Sequence, residues 1–170
     1  MTGKSIILIG MPGAGKSTIG PLLAEKLGLT FVDTDAIIEK SDGRKLRDIV
    51  AQDGYEEFLE IQQKVIESRK LVSCVIATGG SVVKSEALMR YLRSLGRIIY
   101  LKADVNTLEQ RLAPGRKLAR ADGQTFRELY MERGPLYEKY AECIIDCTGK
   151  NPEEIALEAS IWHPGSNRNV

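Results

Sequence analysis

Short apolar runs alternate along the chain with longer stretches in which apolar residues recur every three or four positions. An apolar run of about four to eight residues is typical of a buried strand, whereas the longer spacing indicates an amphipathic helix. The predicted strands are 5–9, 30–32, 72–77, 97–101 and 143–145. The predicted helices are 16–27, 45–53, 55–70, 85–94, 105–112, 125–140 and 152–162. This alternation predicts an α/β fold, with a five-stranded parallel sheet between two layers of helices.

Length and charge favour one compact domain, 1–170. The chain has 170 residues, with 24 Lys and Arg against 23 Asp and Glu, and a formal net charge of +1. Such a balance gives no global field that would attract nucleic acid or a membrane surface. No apolar segment approaches the roughly 18 residues of a membrane span, and no secretory leader is evident. We therefore expect a cytoplasmic monomer with neither nucleic-acid nor membrane partners.

The cysteines are expected to be structural residues without a disulfide or metal-binding role. Cys74 and Cys143 lie in apolar runs and are expected in the core. A zinc site on Cys143 and Cys147 needs more ligands, and the single histidine, His163, opens the tail 163–170. We expect that tail to be poorly anchored.

The most specific motif is a phosphate-binding loop. Residues 10–17 read Gly-Met-Pro-Gly-Ala-Gly-Lys-Ser, between the first predicted strand and the first predicted helix. Glycines let the backbone turn its N–H groups towards phosphates, and the helix N-terminus adds partial positive charge. We expect ATP with Mg²⁺, Lys16 on the outer phosphates and Ser17 on the metal. The nucleotide-contacting residues expected are Gly13, Ala14, Gly15, Lys16, Ser17 and Thr18.

Two carboxylates follow the second predicted strand, at Asp33 and Asp35. Ligands in this architecture bind beyond the carboxyl ends of the strands. Extended geometry would send both side chains the same way, so that one holds magnesium and the other accepts the proton of an attacking hydroxyl. The same residues also suit an Asx turn and a helix N-cap, with Asp35 as the cap.

The third predicted strand is followed by Thr78-Gly79-Gly80-Ser81 and does not end in an acid. Adjacent glycines let backbone N–H groups approach a phosphoryl group or a substrate oxygen, so we expect Gly79 and Gly80 at the substrate. Because no Asn-Lys-x-Asp segment is present, a GTPase is disfavoured. A small kinase fits the pattern better.

Basic residues follow the later strands. Residues 113–124, bounded by Pro-Gly and Asp-Gly, predict either a solvated connection or a mobile lid, and the phosphate loop favours the lid. An arginine that closes over the transferring group, Arg116 or Arg120, would stabilise its negative charge. Arg111 would lie on the adenine face or bind phosphate. Arg133 would hold an anionic substrate or be an ordinary surface arginine.

Taken in order, these residues resemble the shikimate kinases, a branch of the phosphate-loop kinases. The segments that carry the likeness are residues 10–17, 31–35, Gly54 with Phe58, 77–80, the Arg116 segment and 133–137. The resemblance implies Lys16 and Ser17 on phosphate and magnesium, and Asp33 near the metal. It also implies Asp35 on the substrate hydroxyl, Arg116 closing from the lid and Arg133 on the substrate carboxylate.

The departures from the family pattern fall in one region. Where the family has Gly-Glu-x-x-Phe-Arg and a Glu three residues later, this chain has Tyr55, Leu59 and Gln62, and Ser81 replaces a third glycine. Loss of an arginine and its carboxylate together suggests a rebuilt pocket, since loss of one alone would leave an unpaired charge.

The sequence therefore leaves the acceptor open. The first expectation is transfer of the γ-phosphoryl group of ATP to a hydroxyl of a small hydroxylated carboxylate, as in shikimate kinase. One alternative is the same chemistry on another acceptor, such as homoserine. A second is a catalytically silent nucleotide-binding module, although Lys16, Ser17, Asp33 and Asp35 are all present.

Overall fold

The computed structural model describes residues 5–112, 114, 118, 120 and 123–165. Within these residues one parallel sheet has the strand order β2-β3-β1-β4-β5. Its strands are β1 (Ser5–Ile9), β2 (Thr30–Asp33), β3 (Cys74–Ala77), β4 (Gly96–Lys102) and β5 (Cys143–Asp146). The predicted fold class and all five predicted strands are confirmed, with bounds that differ by at most two residues at either end.

Helices connect consecutive strands and follow the last one. In the described residues they are α1 (Lys16–Leu27), α2 (Thr34–Asp42), α3 (Leu46–Asp53), α4 (Tyr55–Glu67), α5 (Glu86–Leu95), α6 (Val105–Arg111), α7 (Phe126–Tyr140) and α8 (Pro152–Ser160). A short 3₁₀ turn spans Val82–Lys84. Helix α2 was not among the predicted ranges, because it follows β2 with no intervening loop.

The strand order places helices on both faces of the sheet. The chain moves from β1 outwards to β2 through α1, and in the opposite direction from β3 to β4 through α5. Because parallel crossovers are right-handed, opposite directions of travel put α1 and α5 on opposite faces. Helix α1 packs on α8 and β3, whereas α5 and α7 pack on β4. The result is the predicted three-layer α/β/α arrangement.

The central strand fixes the position of the phosphate loop. In β1, Ile6, Ile7, Leu8 and Ile9 are all fully buried, as expected for a strand covered on both faces. Neighbouring strands β3 and β4 flank it in register, with Leu8 opposite Ala77 and Ile99. The buried run therefore delivers Gly10 and the following loop to the middle of the sheet's carboxyl edge.

Cys74 and Cys143 lie in the core as predicted, and Cys147, for which no core position was predicted, is buried as well. Cys74, Cys143 and Cys147 are free thiols, and all three are buried. Burial raises the pKa of each thiol, to about 11 for Cys143 and Cys147. They therefore remain protonated and apolar in character near neutral pH.

Among the glycines of the sheet in the described residues, Gly96 has the least room for a side chain. Its substitution therefore gives a stability prediction. It pairs with Ser5 in the β1–β4 ladder, and a Cβ at position 96 would overlap the Ser5 carbonyl oxygen. We expect Gly96→Ala to lower the free energy of unfolding by about 1–3 kcal/mol, because the two central strands must separate to accept it. Urea denaturation followed by circular dichroism measures the change.

Gly134 supplies the matched control. It lies inside α7, and a Cβ there meets no atom within 4 Å. Gly134→Ala is expected to raise the free energy of unfolding by about 0.5–1 kcal/mol through helix propensity and reduced freedom of the unfolded chain. Equal effects of the two substitutions would contradict the steric account of Gly96.

Candidate active site

A cavity of about 610 Å³ lies beyond the carboxyl ends of the strands. It is bounded by the loop after β1, the ends of β2 and β3, and residues of α3, α4, α6, α7 and α8. The predicted site residues that line it are Gly13, Ala14, Gly15, Lys16, Ser17, Thr18, Asp33, Asp35, Gly79, Gly80, Arg111 and Arg133. The remaining one, Arg116, lies outside the described residues, as does most of the predicted lid at 113–124.

The phosphate loop leaves a helix start open for an anion. Gly13 and Gly15 have φ values of 86° and 97°, in the left-handed region that only glycine adopts without strain. Gly15 is the N-cap of α1 and makes no side-chain capping bond. The start of the helix and its dipole can therefore face phosphate oxygens.

Lys16 is held inside the loop. Its side chain is buried, and Nζ donates to the carbonyl oxygens of Gly10 at 2.6 Å and Met11 at 2.9 Å. A buried ammonium group on a flexible stem is a concentrated positive charge within the cavity wall. The position suits contact with an outer phosphate, as the motif predicts.

Asp33 joins the nucleotide loop to α2. Its Oδ2 accepts from Ser17 Oγ at 2.9 Å, and its Oδ1 accepts from the backbone N–H groups of Asp35 at 2.9 Å and Ala36 at 3.4 Å. The prediction that Asp35 is the N-cap was therefore wrong: Asp33 caps α2, because the strand ends and the helix begins at adjacent residues. A hydroxyl oxygen beside a carboxylate oxygen fits Mg²⁺, which in such sites takes few protein ligands and several water molecules or phosphate oxygens.

Asp35 lies in the first turn of α2 and not in an extended strand. The strand-based reason for pairing it with Asp33 was wrong, although both residues line the cavity. Its Oδ1 lies 2.6 Å from the point that a Cβ on Gly79 would occupy. The backbone N–H of Gly79 in turn donates to Thr34 Oγ1 at 3.2 Å. The absence of a side chain at position 79 is thus what lets the Asp35 carboxylate lie against the end of β3.

Arg133 is a buried arginine and not an ordinary surface residue. It is only 2% exposed, and its Nη2 donates to the Tyr55 hydroxyl oxygen at 3.1 Å. A Cβ on Gly80 would lie 3.3 Å from Nη1. Tyr137 donates its hydroxyl to the Gly80 carbonyl at 2.6 Å, and burial raises the pKa of that phenol. The hydroxyl groups of Tyr55 and Tyr137 and the backbone of Gly80 therefore lie beside the guanidinium group.

Two of the four departures from the family pattern, Gln62 and Ser81, contact each other, and the other two have different neighbours. Tyr55 accepts from Arg133, and Ser81 Oγ donates to Oε1 of the fully buried Gln62 at 3.0 Å. Leu59 packs against the hydrophobic core. Gln62 Nε2, by contrast, is buried with no hydrogen-bond partner among the described residues. That the pocket is rebuilt around Leu59 and Gln62 stays a prediction.

Sequence reasoning missed several residues of the cavity wall. They are Leu46 and Arg47 on α3, Phe58 on α4, and Lys150, Pro152 and Ile155 around the start of α8. The last three follow β5, so the rule that ligands bind beyond strand ends would have found them had it been applied to that strand. No local signal marks the residues of α3, whose position depends on packing against α2 and α4.

None of the helices in the described ranges combines the length and the apolar character that a membrane span requires.

Comparisons with known proteins agree on one family. A family model described as shikimate kinase matches residues 12–162. The shikimate kinase of Thermodesulfovibrio yellowstonii is 40% identical over 161 residues, covering 90% of this chain and 91% of that protein. The shikimate kinase of Persephonella marina is 35% identical, covering 91% and 96%.

Solved structures give the same result. A shikimate kinase from Acinetobacter baumannii in complex with shikimate matches with a TM-score of 0.81 and 28% identity, covering 94% of this chain and 92% of that one. The Aquifex aeolicus shikimate kinase matches with a TM-score of 0.78 and 25% identity, covering 93% and 95%.

Proposed function

The chain belongs to the shikimate kinase family, and from that membership we propose that it transfers the γ-phosphoryl group of ATP to a hydroxyl of shikimate. One observation carries the proposal. The anion-binding loop lines the same cavity as Asp35, Gly79 and Arg133. No observation favours homoserine as the acceptor. The catalytically silent alternative has no support either, since Lys16, Ser17, Asp33 and Asp35 are all present and line the cavity.

In this proposal the donor half is built by the phosphate loop. Backbone N–H groups of Gly13, Ala14 and Gly15 and the start of α1 hold the phosphates, with Thr18 beside them. Lys16 compensates charge on the outer phosphates. Ser17 and Asp33 would hold Mg²⁺, which neutralises phosphate charge when it is bound.

The acceptor half is built by α2, the end of β3 and α7. Asp35 receives the proton of the attacking hydroxyl, which it is placed to do because α2 presents it beside Gly79. Gly79 and Gly80 leave room for the substrate to approach the backbone. Arg133 binds the substrate carboxylate through charge-assisted hydrogen bonds.

Two further arginines complete the proposal. Arg111 ends α6, and its Cβ lies 3.8 Å from the point that a Cβ on Gly13 would occupy. That position beside the loop supports binding to nucleotide phosphate or to the adenine face. Arg116 closes over the reacting groups from the segment 113–124, a role that stays a prediction because it lies outside the described residues.

A coupled assay of ADP release tests the function directly. Shikimate is expected to give saturable, magnesium-dependent turnover with a KM below the millimolar range. Homoserine and other hydroxy acids at the same concentration serve as comparison acceptors. Faster turnover of any of these than of shikimate would contradict the proposal, as would ATP binding with no acceptor-dependent ADP release.

The Tyr55–Arg133 hydrogen bond gives a milder prediction. Tyr55→Phe removes the oxygen that accepts from Arg133 Nη2, so the guanidinium is less well oriented for a carboxylate. We expect the KM for shikimate to rise about three- to tenfold, the value of one lost hydrogen bond, with the KM for ATP unchanged. Tyr91→Phe is the control, because the Tyr91 hydroxyl bonds to the Arg69 carbonyl away from the cavity. Identical kinetics for both variants would contradict an orienting role for Tyr55.

The same proposal includes a single domain, a monomeric state and a cytoplasmic location where ATP is supplied. One continuous hydrophobic cluster with residues of four strands, against which Phe31 and Val32 of β2 pack, supports the single domain. Light scattering tests the monomer, since a mass of two chains at assay concentration would contradict it.

A further inference from the structure

The acceptor half of the cavity contains a second arginine, Arg47, to which nothing above assigns a role. It belongs to the first turn of α3 and lines the same cavity as Asp35, Gly79 and Arg133. Helix α3 packs against α2 and α4, the helices that carry Asp35 and Tyr55. Arg47 therefore lies on the acceptor side and not beside the phosphate loop.

Arg47 differs from the two basic residues that precede it. Arg44 donates to Asp42 and to Asp53 at 2.6 Å each, and these carboxylates raise its pKa. Lys45 Nζ donates to Glu39 Oε2 at 2.8 Å. Both are committed to short ion pairs that connect α2 with α3, and neither lines the cavity.

Among the described residues, Arg47 forms a weak ion pair with Asp48. Its Nε lies 3.5 Å from Oδ1 of the adjacent Asp48, and the two side chains are 65% and 45% exposed. The positive charge of Arg47 also lowers the pKa of Glu39, but by less than the charge of Lys45 does. Exposed pairs of this kind contribute little, so the guanidinium is free to exchange Asp48 for a ligand at small cost.

The number of charges in the acceptor half of the cavity indicates a role for Arg47. An acceptor that carries a carboxylate brings one negative charge into a half-cavity that already contains the Asp35 carboxylate. Arg133 compensates one of the two, and its guanidinium is buried and oriented by Tyr55. Position 59, on the neighbouring helix, is a leucine that packs on the core and supplies no charge. Arg47 is the remaining cation on the acceptor-side wall of the described residues.

We propose that Arg47 is a specificity-determining residue that binds the carboxylate of the acceptor from the rim of the cavity, together with the buried Arg133. The inference rests on the proposed function, since shikimate supplies the carboxylate. A planar guanidinium makes two parallel hydrogen bonds to a carboxylate, and this geometry selects carboxylates over neutral groups. Its long exposed side chain lets it engage the acceptor after the acceptor has entered.

The test compares Arg47→Met with Lys45→Met, which removes the same charge two residues away but outside the cavity. For Arg47→Met we expect the KM for shikimate to rise about tenfold, equivalent to about 1.4 kcal/mol, with kcat and the KM for ATP within twofold of the unaltered enzyme. Lys45→Met is expected to keep the KM for shikimate, and Arg47→Lys to recover part of the loss because it keeps the charge without the planar fork.

A neutral acceptor separates binding of the carboxylate from a structural effect. With the methyl ester of shikimate, the unaltered enzyme and Arg47→Met are expected to have the same KM. An unchanged KM for shikimate in Arg47→Met, or equal losses with the acid and the ester, would overturn the inference. Absence of shikimate turnover by the unaltered enzyme would instead contradict the proposed function, so the two failures are distinguishable. Thermal melts of all three variants check that they are folded.

Discussion

Lys16→Met is expected to lower kcat by about 10³-fold or more, since removal of a single preorganised charge-stabilising donor costs about 10²–10³ and this one carries a full positive charge. Lys16 is buried in the loop wall, with Nζ donating to the Gly10 and Met11 carbonyls. Methionine keeps the length of the side chain but neither donates nor compensates phosphate charge. Single-turnover measurement of phosphoryl transfer with saturating ATP and shikimate gives the loss in the chemical step.

Lys26→Met is the matched control. Lys26 lies in the last turn of the same helix, is exposed and does not line the cavity. It is expected to retain full activity. Because the two carbonyl bonds of Lys16 also shape the loop, nucleotide affinity is measured separately by calorimetry. A Lys16→Met enzyme with more than a tenth of normal kcat would contradict the role of this ammonium group in stabilising the transferring phosphoryl group.

Asp35→Asn is expected to lower kcat by about 10²–10⁴-fold, the usual contribution of a positioned proton acceptor. Asparagine keeps the shape that fits beside Gly79 but accepts a proton poorly. ATP affinity is expected to remain nearly unchanged, because Asp35 is presented by α2 and not by the phosphate loop. Steady-state kinetics with both substrates, together with calorimetric ATP binding, separate the two quantities.

Asp33→Asn is the informative comparison for Asp35. Asp33 contacts Ser17 and caps α2, so its substitution is expected to raise the magnesium concentration needed for half-maximal activity. Asp35→Asn is expected to leave that concentration unchanged. Normal kcat in Asp35→Asn would contradict its role as proton acceptor. An equal change in magnesium requirement in both variants would contradict the division of labour between the two carboxylates.

Features encoded in contiguous residues could be predicted from the sequence. The buried run of β1 and the loop after it form one local motif, and the structure places that motif at the centre of the carboxyl edge. Asp33 and Asp35 were found by the same rule. Their geometry was not, because spacing alone does not reveal that Thr34 already belongs to a helix.

Contacts between distant segments could not be predicted. Tyr55 and Arg133 are 78 residues apart, and Gln62 and Ser81 are 19 apart. Each pair exists because α4 and α7 both pack on the 3₁₀ turn that follows β3, an arrangement that depends on the whole sheet. Periodicity predicts which face of α4 is buried but not which residue of another element it meets. The position of Arg47 in the cavity wall could not be predicted for the same reason.

The two hydrogen-bonding roles of Asp33 have a consequence for how the substrates bind. One carboxylate oxygen faces Ser17 and the other fixes the start of α2, which carries Asp35. A ligand that orders Ser17 and Asp33 therefore also restricts the first turn of α2, and an acceptor held by Asp35 restricts Asp33 in return. Linkage makes such coupling reciprocal. We expect synergism: each substrate should tighten the binding of the other by the same factor, whichever arrives first.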